Sequence, residues 1–154
     1  MENKKDIYYT ICGNGPDEDE LRKLIHEKKL EKQVQFIGFR TDMNEILQTA
    51  DVFAFPSIRE GLGIAAIEAL ACGVPLIVAD NRGTREYLHN DKNGLICDAF
   101  DRNAFVAAID KVYSNVEYRK KLADYCRESV IQFSTEETVR TMERIYSTMD
   151  KRIS

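Results

Sequence analysis

Short apolar runs alternate along the chain with longer stretches in which apolar residues recur every three or four positions. Residues 7–12 (Ile7-Tyr8-Tyr9-Thr10-Ile11-Cys12), 34–37, 52–55, 76–79 and 95–97 are apolar runs flanked by Gly, Pro, Asn or Asp, a pattern that predicts five short strands. Residues 17–29 place Leu21, Leu24 and Ile25 on one helical face. A second helix, capped by Thr41 or Asp42, aligns Met43, Ile46, Leu47 and Ala50. A third begins near Gly63 and closes at Cys72-Gly73. From residue 95 onward there is no Gly or Pro, and the helical period continues through 102–114, 117–131 and 134–149. Phe105, Ala108, Ile109 and Val112 face inward in the first of these, and Tyr118, Leu122, Tyr125 and Cys126 in the second. The last opens on a Ser134–Glu137 capping box and carries Val139, Met142, Tyr146 and Met149. Strands that alternate with helices predict an α/β fold with a parallel sheet. At 154 residues the chain is expected to form a single domain, 1–154.

The chemistry concentrates in residues 55–80. An apolar strand ends in Pro56-Ser57, and Arg59-Glu60 and the loop Gly61-Leu62-Gly63 lead into the helix Ile64-Ala65-Ala66-Ile67-Glu68-Ala69-Leu70-Ala71. The first amides of such a helix lack intrahelical partners, and the helix dipole makes that end positive. Glycines let a ligand approach the main chain, so a phosphate or a sugar hydroxyl fits there. Glu68 lies about 7–8 Å along the axis from the helix start, at 1.5 Å per residue, in an otherwise apolar run. A carboxylate there needs partners if the helix is buried; the plainer reading puts it on a solvated edge. Gly13-Asn14-Gly15-Pro16 is a second glycine turn between strand and helix, which serves equally well as a ligand loop or a connector.

Composition narrows the classes. A net charge of −4 leaves no basic footprint for nucleic acid. No apolar run reaches the roughly 18 residues of a membrane span, and Met1-Glu2-Asn3-Lys4-Lys5 lacks a signal-peptide core. Cys12, Cys72, Cys97 and Cys126 show no CxxC pairing and read as small core residues in a reducing compartment. His26 and His89 are the only histidines, which gives a metal site little to work with.

Several motifs together resemble a known family. Glu60 and Glu68, with seven residues between them, in Glu60-Gly61-Leu62-Gly63-Ile64 and Glu68-Ala69-Leu70-Ala71-Cys72-Gly73-Val74-Pro75, followed by Asn93-Gly94-Leu95-Ile96 and Asp101, resemble the signature of GT-B-fold retaining glycosyltransferases of family 4, the glycosyl transferases group 1. The resemblance runs from residue 7 to 149 and is most specific over 51–101. It implies the C-terminal, donor-binding domain, with a nucleotide diphosphate sugar (UDP- or GDP-sugar) as donor and a carbohydrate or lipid-linked acceptor. Glu60 is then the catalytic-site residue that holds sugar hydroxyls near the anomeric centre. Main chain of Gly61, Leu62, Gly63 and Ile64 meets sugar and phosphate, and Glu68 accepts from the ribose diol. Gly13 and Gly15 border the nucleotide-sugar cleft, and Phe39 and Arg40 follow a strand whose main chain contacts the base; without the resemblance, Phe39 reads as half-buried and Arg40 as a surface charge. No cofactor or metal is implied, since amides and cations carry the phosphate charge.

The resemblance also implies more than this sequence holds. The acceptor-binding N-terminal domain, and the first strand and helix of the donor domain with its pyrophosphate-binding Arg and Lys, would precede Ile7. A missing N-terminal domain or a partner chain is therefore expected, with self-association as a further route. If the absent strand is not replaced, a three-layer Rossmann-like doubly wound sheet of five strands in the order 2-1-3-4-5 is expected, followed by three helices. The intact enzyme is expected in the cytoplasm, at the inner face of the membrane, in surface polysaccharide or glycoconjugate synthesis. The alternative is a nucleotide-sugar-binding or interaction module with no transfer activity of its own. A receiver-like domain fits poorly, because the first strands end in Cys12-Gly13 and Phe55-Pro56 rather than acidic residues.

Overall fold

The computed structural model describes residues 6–150, the side chains of 149 and 150 excepted. The chain divides into two compact units, parting after Met43. The first holds β1 (Tyr9–Cys12), α1 (Glu18–Glu27) and β2 (Val34–Gly38). β1 and β2 pair in parallel from Tyr9↔Val34 to Cys12↔Gly38, with a register shift after Ile11. α1 stops where Lys29 turns to a positive φ of 55° and the Leu30 amide reaches back to the Ile25 carbonyl at 2.9 Å, a left-handed helix stop. The Arg22 guanidinium lies 4.4 Å from the centre of the Phe36 ring.

No described residue of this first unit is buried. The period of α1 is as expected, yet Leu21 and Leu24 are 40% and 48% exposed. A two-stranded parallel sheet offers too little apolar surface to cover a helix face.

The second unit carries the core. Its strands β3 (Phe53–Phe55), β4 (Leu76–Ala79) and β5 (Gly94–Cys97) form a parallel sheet in the order β3-β4-β5. β4 is central and wholly buried, as its unbroken apolar run requires of a strand covered on both faces. α3 (Ile64–Ala71) connects β3 to β4 and packs on both. It ends in paired bonds from Gly73 N–H to Leu70 O (2.9 Å) and from Val74 N–H to Ala69 O (2.9 Å), with Gly73 at φ 85°. α4 (Arg102–Ser114) and α5 (Val116–Ser129) follow. Ile77, Leu95, Cys97, Ala108, Val112 and Leu122 form one buried cluster between strands and helices. Asp101 caps α4 by accepting from the Asn103 and Ala104 amides, and Asn115 caps α5 through the Tyr118 amide.

α2 (Met43–Gln48) spans the boundary between the units and buries only Leu47. α6 (Thr135–Asp150) forms half of the expected capping box. Ser134 Oγ accepts from the Glu137 amide at 3.2 Å. The Ser134 amide is already bonded to Ile131 O, and the Glu137 carboxylate pairs with Arg140.

The α/β class, the five strands and their parallel pairing are as expected; the single sheet ordered 2-1-3-4-5 is not formed. β1 and β3 are not hydrogen-bonded to each other. No described side chain of the first unit is buried, so β1 has no packed face to select its neighbours beyond β2. The cysteines also separate. Cys97 and Cys126 are buried as expected, but Cys12, the last residue of β1, is exposed and Cys72 is half-buried. An apolar neighbourhood in sequence does not bury a side chain at the end of an uncovered strand. No helix among the described residues is long and apolar enough to cross a membrane.

Candidate functional site

In the second unit the chain leaves β3 at Phe55, turns at Pro56 and enters α3 through Gly63, whose φ of 78° and ψ of 59° are left-handed. Glycine is required here twice over. A Cβ at 63 would strain that backbone, and it would meet Tyr87 Oη at 2.8 Å and the Phe55 ring at 3.0 Å. No side chain caps α3, and its ladder begins with the Ala66 and Ile67 amides, which both donate to Gly63 O at 3.0 and 3.3 Å. The Ile64 and Ala65 amides precede the first ladder bond and remain available at the positive end of the helix.

A turn that follows β4 braces this loop. Asn81 Nδ2 donates to Ser57 O at 2.8 Å, and Asn81 Oδ1 accepts from the Thr84 amide at 3.0 Å. Thr84 Oγ1 donates to Ala79 O at 3.0 Å. Gly83 lies so close beneath the loop that a Cβ there would sit 2.8 Å from Glu60 O and 3.1 Å from Glu60 Cβ. The turn runs on to Tyr87, whose ring packs edge-on against Phe133 at 6.4 Å. Asn93 Nδ2 holds the Tyr87 carbonyl at 2.9 Å.

Glu60 is half-buried and makes no hydrogen bond or ion pair among the described residues. Glu68 stands on the exposed stripe of α3 with Ile64, Ala65 and Ala71, opposite buried Ala66, Ala69 and Leu70. The helix is thus covered on one side only, and Ile64 is 66% exposed at its start. Leu62 and Gly61 are also exposed. Glu60, Gly61, Leu62, Gly63, Ile64 and Glu68 therefore share one loop and the open face of the helix it feeds.

In the first unit, Gly13, Gly15, Phe39 and Arg40 stand beyond the carboxyl ends of β1 and β2. Gly13 N–H donates to Gly38 O at 2.8 Å and ties the two ends together. Phe39 is 77% exposed rather than half-buried, because it lies past the end of the ladder. The Arg40 guanidinium is held by both Asp42 carboxylate oxygens, with Nε–Oδ1 at 2.8 Å, and this pairing holds the Asp42 carboxyl below its usual range. Among the described residues, no group of three His, Cys, Asp or Glu side chains is placed to hold a metal ion.

Sequence reasoning passed over Asn81, Gly83, Thr84 and Tyr87. The polar pair Asn81 and Thr84, directly behind a buried strand, was the available signal of a built turn.

A glycine turn feeding a helix at the carboxyl end of a parallel strand, with acidic side chains before and along that helix, is the ligand-binding end of a parallel α/β protein. The chain belongs to the glycosyl transferases group 1, whose family model matches residues 1–129. Among its relatives is the putative glycosyltransferase EpsD of Bacillus subtilis (strain 168), 37% identical over 138 residues, which cover 90% of this chain and 36% of that protein. A mutant TarM of S. aureus, solved in complex with Fondaparinux, alpha-GlcNAc-glycerol and UDP, matches with a TM-score of 0.85 at 26% identity over 94% of this chain and 30% of that one. Anabaena Alr3699/HepE, solved in complex with UDP, shares the fold, with a TM-score of 0.87 at 21% identity over 94% of this chain and 42% of that one. The chain spans about a third of the length of the curated relatives it matches.

Proposed function

We propose that this chain is the donor-binding part of a retaining glycosyltransferase that moves a sugar from a nucleotide diphosphate sugar to a carbohydrate or lipid-linked acceptor, in surface polysaccharide or glycoconjugate synthesis. The observation that carries the reading is the uncapped start of α3 behind Gly63, with Glu60 ahead of it and Glu68 on its open face. Amides at 61–64 meet the sugar and the phosphate, supplying hydrogen bonds to the leaving group without a protein nucleophile. Glu60 holds the sugar, and Glu68 accepts from the ribose. For the first unit, the resemblance alone assigns main chain at Gly13 and Gly15 to the nucleotide sugar, and Phe39 and Arg40 to the base. UDP in relatives with solved structures supports a nucleotide donor. No metal is needed in this scheme.

The 154 residues alone bind donor weakly, on the order of millimolar, and do not transfer it, because a pyrophosphate that lacks charge-assisted partners forgoes about 1.5–3 kcal/mol for each.

Titration of UDP, GDP and their hexose conjugates into wild type, Glu68→Gln and Glu60→Gln tests the assignment. Glu68→Gln is expected to weaken free nucleotide and nucleotide sugar alike by roughly 1–2 kcal/mol. Glu60→Gln is expected to weaken only the nucleotide sugar. Unchanged binding of every ligand by Glu68→Gln returns Glu68 to a solvated edge, and turnover by the isolated wild type above a Glu60→Ala control overturns the inactive reading.

A further inference from the structure

Tyr87 is a fully buried side chain whose hydroxyl, alone among the buried side-chain polar atoms of the described residues, has no hydrogen-bond partner. A buried hydroxyl without a partner is costly, and a phenyl ring would fill the same space without that cost. The hydroxyl lies directly beneath the loop of the candidate site, 2.8 Å from where a Gly63 Cβ would stand. Three residues earlier in that loop, the Glu60 carboxylate accepts from no donor among the described residues, and the residue's Cβ and carbonyl rest on Gly83, in the same turn as Tyr87. One short segment thus brings an unused donor and an unused acceptor to the same loop. The electrostatics agree: burial, and after it the negative charge of Glu60, push the Tyr87 phenol up to about 12, so the hydroxyl keeps its proton and remains a donor at neutral pH.

We propose that Tyr87 is a positioning residue, whose hydroxyl donates to the Glu60 carboxylate when a nucleotide sugar occupies the start of α3 and so holds Glu60 on the sugar. The proposal rests on the nucleotide-sugar reading of the site. Because the hydroxyl is enclosed beneath Gly63, it acts through Glu60 and not by touching the ligand. One carboxylate oxygen of Glu60 accepts from Tyr87 and the other remains for a sugar hydroxyl. A carboxylate fixed in this way loses less side-chain freedom when the sugar binds.

The test compares Tyr87→Phe, Glu60→Gln and the double variant with wild type, in the 154-residue chain, by thermal melting and by NMR titration with UDP-glucose, GDP-mannose, UDP and GDP at millimolar concentration. Tyr87→Phe is expected to melt no lower than wild type, since it removes an unpartnered hydroxyl. It is expected to bind the preferred nucleotide sugar about 3–10-fold more weakly and the free nucleotide equally well. The two losses are expected not to add in the double variant, because Tyr87 acts on the sugar only through the side chain at position 60. A clearly lower melting temperature for Tyr87→Phe overturns the proposal by showing that the hydroxyl already has a partner in the free protein. Unchanged nucleotide-sugar binding by Tyr87→Phe, or losses that add in the double variant, overturns it while leaving the donor site standing. Absence of any binding by wild type overturns the nucleotide-sugar reading and this proposal with it.

Discussion

Gly61 and Gly63 flank one residue and look alike in the sequence, yet they do different things. Gly61 has open space where a Cβ would stand, so its lack of a side chain serves whatever approaches the loop. Gly63 is needed by the fold itself, through a positive φ and the closeness of Tyr87 Oη and the Phe55 ring. Gly63→Ala combines about 1–2 kcal/mol for a left-handed residue with about 1–3 kcal/mol for overpacking. The melting temperature is then expected to fall by roughly 5–15 °C. In a Tyr87→Phe background the fall is expected to shrink, because the 2.8 Å contact is gone while the φ and the Phe55 contact remain. Gly61→Ala is expected to leave stability within about 0.5 kcal/mol. Equal losses at 61 and 63, measured by thermal melting, would show that the space around Gly63 has been misjudged. Both glycines and Glu68 stood out in the sequence itself, and Glu60 stood out through the resemblance. Spacing carried no sign of Tyr87, because an orphaned hydroxyl is defined by what surrounds it in space.

At the scale of the element, helical period was legible from the sequence alone, whereas coverage was not: the exposure of α6 was expected only from the resemblance, and that of α1 was not expected. α6 was foreseen with Val139, Met142 and Tyr146 on its apolar face; Met149, expected there too, lies outside the residues whose side chains are described. Val139, Met142, Ile145 and Tyr146 are 50%, 44%, 45% and 62% exposed. Leu21 and Leu24 on α1 tell the same story. A 3.6-residue period states which side chains share a face, and only the neighbouring elements decide whether that face meets protein or water. An exposed apolar stripe on a 16-residue helix favours association. The chain is therefore expected to sediment as a concentration-dependent mixture, and Met142→Glu with Tyr146→Glu to shift it toward monomer. Strictly monomeric sedimentation at high concentration would show that the stripe does not drive association.

For the whole molecule, strand count, parallel pairing and chain order were readable, because each βαβ step is written locally as strand, turn, helix and strand. The division into two sheets was not. Which strands become neighbours depends on packing between residues far apart in sequence, and the alternation of β1 and β3 is compatible with either arrangement.

Burial in the described chain begins only at Leu47, which bears on timescale. A segment with no buried side chain has little to hold it closed beyond its backbone bonds, so it opens more often than the cluster around Ile77 and Leu122. Amide hydrogen exchange is expected to be markedly faster in peptides from 7–38 than in those from 76–97, with the latter reporting global unfolding; uniform protection would contradict this. Gly13, Gly15, Phe39 and Arg40 then belong to the part of the chain that spends the largest share of its time open, and any ligand that uses them first has to wait for, and then hold, the closed state. Its apparent affinity falls in proportion to the closed fraction.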